Sequence, residues 1–185
     1  RTCLLRVHSP SKKGDIINRF TALEAEWTKK TASGVEIGPL GTFTLRVVQP
    51  IIKDGTLIGY VELGKEIEDI IFTIHANSNS EMFITIEKKF LKRDSWESGM
   101  NMLNRPFNWN LLSQDAIIFS SLAETPSVLK EIVKSHHEDH KTETKTDAKI
   151  SYNGREWRIL ASPLRDASGK EVGDLYIMTD ISAKK

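Results

Sequence analysis

The chain has 185 residues, 39% of them hydrophobic and 28% charged, enough apolar material for one large folded unit or two small ones. Lysine and arginine number 26 against 25 aspartate and glutamate, so a net charge of +1 gives no electrostatic reason to expect a nucleic-acid partner. The single cysteine, Cys3, excludes an internal disulfide framework and any multi-cysteine zinc site. No apolar run approaches the ~18–20 residues that span a bilayer, and no signal peptide is visible. The chain opens on strand-like sequence without an initiator Met, which reads as the start of a fragment.

In chain order, "CLLRVH" (residues 3–8) alternates as a short strand and stops at Ser9-Pro10. Asp15 then serves as an N-cap, and Ile16, Phe20, Leu23 and Trp27 fall on one helical face. Two strands follow, Thr42–Ile51 and Leu57–Leu63, joined by the turn sequence "KDGT". Lys65 to His75 returns to helical spacing through Ile67, Ile70, Ile71 and Ile74. "ANSNSE" is a polar break, and "MFITIEKKFL" a new strand. "DSWE" offers a capping box for a short helix. Thr125-Pro126 opens another, whose stripe is Leu129, Ile132, Val133 and His136. After the charged stretch "HHEDHKTETKTDAK" come the closing strands Ile150–Asn153, Trp157–Pro163 and Val172–Thr179.

One pattern occurs twice. Gly41 and Gly154 each precede an apolar run containing an Arg, and each is followed nine residues later by a proline, Pro50 and Pro163. Asp-Gly or Asp-x-x-Gly turns then lead to second apolar runs opened by Gly59 and Gly173. Helices are gathered ahead of antiparallel hairpins rather than alternating with strands, so the fold class is α+β. The repeat reads as the final hairpins of two copies of one fold, a PAS-like antiparallel sheet flanked by helices. The expected modules are residues 1–78, incomplete at its start, and residues 79–185.

The stretches "RVHSPSKKGD", "TASGVEIGPLGTFTLRVVQP" and "LIGYVELGKEIEDI" resemble double Cache domains, the tandem PAS-like extracytoplasmic sensors of bacterial and archaeal receptors. The resemblance is nearest to the double sensory domain of two-component sensor histidine kinases. "WESGM", "RPFNW" and "SPLRDASGKEVGDLYIMTDIS" resemble the membrane-proximal module of such a sensor. The sequence departs from the family at its front: the long helix and first strands with which those sensors begin are not in it.

A PAS-like module binds small ligands between its sheet and the covering helix, and an anion there needs a fixed donor fork in an apolar cup. Arg46 interrupts the apolar run "TLRVVQ"; Arg6 and His8 alternate along the first strand; Trp27 offers an aromatic wall; Tyr60 and Glu62 share a strand face. These six are the candidate ligand-binding residues, for a small carboxylate or amine, with Arg46 the expected anchor. The alternative at each is structural: Arg6, Arg46 and Glu62 paired across strands on a solvent face, and Trp27 in the core. The glycines from Gly14 to Gly64 lack phosphate-loop spacing. His136 and His140 stand four apart, but no third ligand or H-E-x-x-H order accompanies them, so no metal is expected. No nucleophile elbow or carboxylate pair stands out, so neither an enzyme nor a cofactor is expected in this chain.

The resemblance implies the ligand-sensing region of a membrane-anchored receptor, outside the cytoplasm, passing a conformational change to a kinase or chemoreceptor output, with homodimerisation possible. The alternative is a cytoplasmic tandem PAS module that dimerises without ligand.

Overall fold

The computed structural model describes residues 1–139 and 147–182, and its described elements are four α-helices, one 3-10 turn and eight strands in two antiparallel sheets. The chain is α+β. Helix α1 (Phe20–Thr28) precedes β1 (Ala32–Ile37), β2 (Phe43–Lys53) and β3 (Thr56–Glu66), which form a three-stranded sheet in that order. Helix α2 (Ile67–Ala76) leads to β4 (Ser80–Glu87), α3 (Arg93–Met102), β5 (Asp115–Ser120) and α4 (Ser127–Asp139). β6 (Asp147–Tyr152), β7 (Arg155–Arg165) and β8 (Glu171–Asp180) complete a five-stranded sheet ordered β5-β4-β8-β7-β6. The expected boundary at residue 78 falls in the turn between α2 and β4.

The repeated sequence pattern is a repeated backbone. α1-β1-β2-β3 has the order of α4-β6-β7-β8, and each final hairpin carries a register shift one residue beyond its proline: between Ile51 and Ile52 after Pro50, and between Leu164 and Arg165 after Pro163. Gly59 lies opposite Ile51, and Gly173 opposite Leu164. Proline cannot complete the ladder and is tolerated where the ladder breaks, which explains its place beside a bulge. Gly173 has a further reason: a Cβ there would lie 2.0 Å from the Thr85 carbonyl oxygen of β4.

The amino-terminal expectations fail. Residues 3–8 form no strand; the only ladder contact of this stretch is an isolated bridge from Thr2 to Ile16. The segment folds on itself instead, Cys3 N–H donating to Asp15 O and Gly14 N–H to Cys3 O, both at 2.8 Å. Asp15 is therefore no helix cap: its carboxylate receives the Arg6 guanidinium at 2.6 Å, and the helix begins four residues later than expected, at Phe20. Its buried face is Thr21, Ala22 and Ala25, small side chains that let the helix lie close on the sheet, while Trp27 is 68% exposed. α3 likewise lacks the expected capping box, its Glu97 pairing with Arg93 along the helix. The stripe read on α4 is buried throughout.

Three apolar clusters result. Beneath α1 is a small one of Ala25, Ala32 and Val48, flanked by Tyr60. α4 covers one face of the five-stranded sheet over Phe83, Leu129, Val133, Ile159, Tyr176 and Met178. The other face of that sheet packs Ile84, Ile86 and Ile118 against Trp96 and Met100 of α3, Ile71 of α2 and Phe43 of the first sheet. At roughly 1.5–3 kcal/mol per large buried side chain, this shared cluster ties the two sheets together.

Candidate functional site

Beneath the start of α1 the first sheet carries alternating charges. Thr44, Arg46 and Val48 of β2 face α1, and so do Tyr60 and Glu62 of β3, because alternate residues share a face. Arg46 donates through Nη1 to Glu62 Oε1 at 2.7 Å, and its Nε lies 3.6 Å from Glu36 Oε2. Arg19, the residue before α1, donates to both oxygens of the same Glu62. Glu36, buried on β1, accepts from the Thr21 N–H at 2.9 Å and the Thr21 hydroxyl at 3.0 Å, satisfying an open amide of the helix N-terminus. Two guanidinium groups and two carboxylates thus form one partly buried network.

The six expected site residues divide. Arg46 and Glu62 are in direct contact and Tyr60 stands on the same strand face. Arg6 is held by Asp15 and the Lys12 carbonyl, and His8 and Trp27 are exposed. The picture of Arg6 and His8 on a common strand is corrected with the loss of that strand. Arg46 is not a lone cation in apolar surroundings: Glu36, which the sequence reading passed over, shares it with Glu62. Three buried donors nevertheless make no hydrogen bond among the described residues: Nε of Arg19, Nε of Arg46 and the Tyr60 hydroxyl. Burial raises the Tyr60 phenol above its ordinary range, so the hydroxyl keeps its proton.

The second module has a polar layer in the equivalent place. Asp174 and Tyr176 on β8 echo Tyr60 and Glu62 on β3, an acid and a tyrosine two residues apart facing the covering helix. His136 Nε2 lies 3.1 Å from Asp174, and His137 Nε2 contacts Asp115 of β5, so two successive residues of α4 reach two strands. Tyr176 stacks on Phe83 with ring centroids 4.3 Å apart, and burial, then the charges of Asp174 and Asp115, drive its phenol far upward. Thr85 Oγ1, Asp115 Oδ1 and the Tyr176 hydroxyl are buried without a hydrogen-bond partner among the described residues. A cavity of about 210 Å³ opens beside Asp115, His137 and Lys134. The histidine pair read at 136 and 140 cannot be followed, since His140 lies outside the described residues. Among the described residues no three His, Cys, Asp or Glu side chains are grouped to hold a metal. A signal for this layer was available in sequence: "GDLY" and "GYVE" follow the two matched glycines.

Five antiparallel strands ordered 2-1-5-4-3 within the second module, preceded by a second copy of the same helix and hairpin, define a tandem PAS-like sensor architecture. The chain matches the family described as the double sensory domain of two-component sensor kinase over residues 2–184, and it belongs to that family. A search among curated proteins returns no match.

Proposed function

We propose that this chain is the ligand-sensing region of a transmembrane sensor histidine kinase, lying outside the cytoplasm, and that it binds a small molecule carrying a carboxylate or an amine. The ligand sits in the first module, under the start of α1, against Arg46, Glu62 and Tyr60, with Arg19 and Glu36 beside them. One observation carries this: three buried donors around a mixed-charge network make no hydrogen bond among the described residues, and buried donors left unbonded are rare in protein interiors. A carboxylate supplies acceptors to the guanidinium groups, and an amine finds Glu62 and Glu36. A ligand that favours one placement of α1 over another shifts the module between two arrangements. Family membership supports the sensory role; none of the described helices is long and apolar enough to cross a membrane.

The test is a thermal-shift screen of small carboxylates and amines on this chain. A ligand that stabilises the protein should lose its effect in Arg46→Lys, which keeps the charge but not the fork, and keep it in Arg158→Ala, whose partner Asp147 is exposed. Retention of the shift in Arg46→Lys would sink the site. Placement is read in the full receptor by labelling Cys3 with a membrane-impermeant maleimide on intact cells, with Cys3→Ser as control; protection of Cys3 until lysis would overturn it.

A further inference from the structure

Behind the outer edge of the five-stranded sheet is a cavity of about 420 Å³, a volume within the range of small-molecule sites. Its walls are largely apolar, with Phe107, Leu111, Ile117, Phe119 and Leu122 among them, and Arg105 is the one charged residue lining it. Among the described residues the guanidinium of Arg105 is paired closely on one side only, through Nη1 with Glu68. That contact, 2.9 Å from Nη1 to Glu68 Oε1, is an ion pair off the ideal hydrogen-bond axis, and it occupies one nitrogen of the fork. Asp69 is the next acid, at 3.9 Å from Nη2. A planar fork of five N–H groups beside an apolar hollow has the geometry that receives a carboxylate on two parallel bonds.

We infer that this cavity is a second ligand site, distinct from the one under α1, for a monocarboxylate with an apolar body. The carboxylate sits on Arg105 and the body lies against Phe107, Ile117 and Leu122. Glu68 belongs to α2, the helix that joins the two sheets, so a ligand that draws the guanidinium away from Glu68 loosens a contact between α2 and the loop after α3. Glu68, 2% exposed, then loses its counter-charge and takes up a proton. Binding at this site is thereby coupled to the inter-module helix and to pH.

Hexanoate is the probe. Trp96 packs edge-on against Phe107 with centroids 5.6 Å apart, so tryptophan fluorescence of the whole chain reports occupancy. We expect saturable quenching or enhancement by hexanoate, at least about tenfold weaker binding of neutral 1-hexanol, and proton uptake on binding in calorimetry at neutral pH. Arg105→Ala alone leaves Glu68 buried without a cation and can fail to fold, so two other variants carry the test. Arg105→Met with Glu68→Gln removes both charges together, and Ala123→Trp fills the cavity without touching the ion pair. Both should abolish hexanoate binding, and Arg46→Lys should leave it unchanged. Titration without saturation, equal binding of hexanol, or binding that survives both variants overturns the inference. Loss of hexanoate binding in Arg46→Lys alone would move the ligand to the first module and leave the earlier proposal standing.

Discussion

The backbone N–H of Ala167 donates to the carbonyl of Val35 at 2.7 Å, so the turn of the β7–β8 hairpin rests on the outer strand of the other sheet. This approach is possible because residue 34 is glycine: a Cβ there would fall 2.5 Å from the Ala167 Cβ and 3.1 Å from its Cα. Gly34→Val should force the turn away and cost about 1–3 kcal/mol, the range for overpacked contacts. Because the shared cluster around Trp96 also joins the sheets, urea unfolding should remain one transition by tryptophan fluorescence and far-ultraviolet dichroism. Two separated transitions in the variant would show that this single contact, rather than the cluster, couples the modules.

The glycine also shows where the sequence was misleading. "TASG" looks like a turn, and β1 was missed because its serine and glycine are strand-poor residues retained for a close approach that only the folded molecule reveals. Both hairpins and the stripe of α4 were legible because period-two and period-3.6 patterns are local. The amino-terminal segment was not: its alternation of Leu, Arg and His suits a strand, but its amides bond within the segment, leaving Leu4 and Val7 exposed. At the candidate site, Arg46 and Glu62 were readable as charges breaking apolar runs. Glu36, Arg19 and Arg105 acquire meaning only from partners 10 to 43 positions away on other elements, which spacing along one element does not encode.

Burial holds the carboxyl of Glu68 up to about 7, from an ordinary 4.5, and the nearby Arg105 only partly opposes this. A raised folded-state value means the folded protein binds this proton more tightly than the unfolded chain does. Its contribution is full below 4.5 and lost as pH rises toward about 7, on the order of 3 kcal/mol. Glu68→Gln should flatten the fall in stability between about pH 5 and about pH 8 in urea titrations. An unchanged slope would mean that Glu68 is ionised throughout.

His137 works in the same direction through a different cause. Its hydrogen bond to Asp115 holds the imidazolium above the ordinary 6.5, with burial opposing. The stability it supplies is complete below 6.5 and fades as pH rises through the higher folded-state value. Titration of the His137 ring proton by NMR should give a midpoint above 6.5, and Asp115→Asn should lower it. A midpoint at or below 6.5 would contradict the pairing seen between α4 and β5.

The network under α1 predicts unequal costs for its two arginines. Arg46, 12% exposed in its side chain, pairs with Glu62 and stands beside buried Glu36, so Arg46→Met leaves Glu36 without a cation while Glu62 keeps Arg19. Breaking a buried pair from one side costs about 3–5 kcal/mol, because the remaining charge is stranded. Among the described residues Arg19 pairs with Glu62 alone, and Glu62 keeps Arg46 when Arg19 is lost. Arg19→Met should therefore cost about 1 kcal/mol, as a more exposed ion pair does. Adding Glu62→Gln to Arg46→Met restores the balance of one acid, Glu36, to one cation, Arg19, and should recover part of the loss, giving a coupling of about 0.5–3 kcal/mol in a double-mutant cycle. Glu36 would still be held by Thr21, so recovery should be incomplete. Additive effects of Arg46→Met and Glu62→Gln, measured by urea unfolding at neutral pH, would mean that the contact at 2.7 Å contributes nothing in solution.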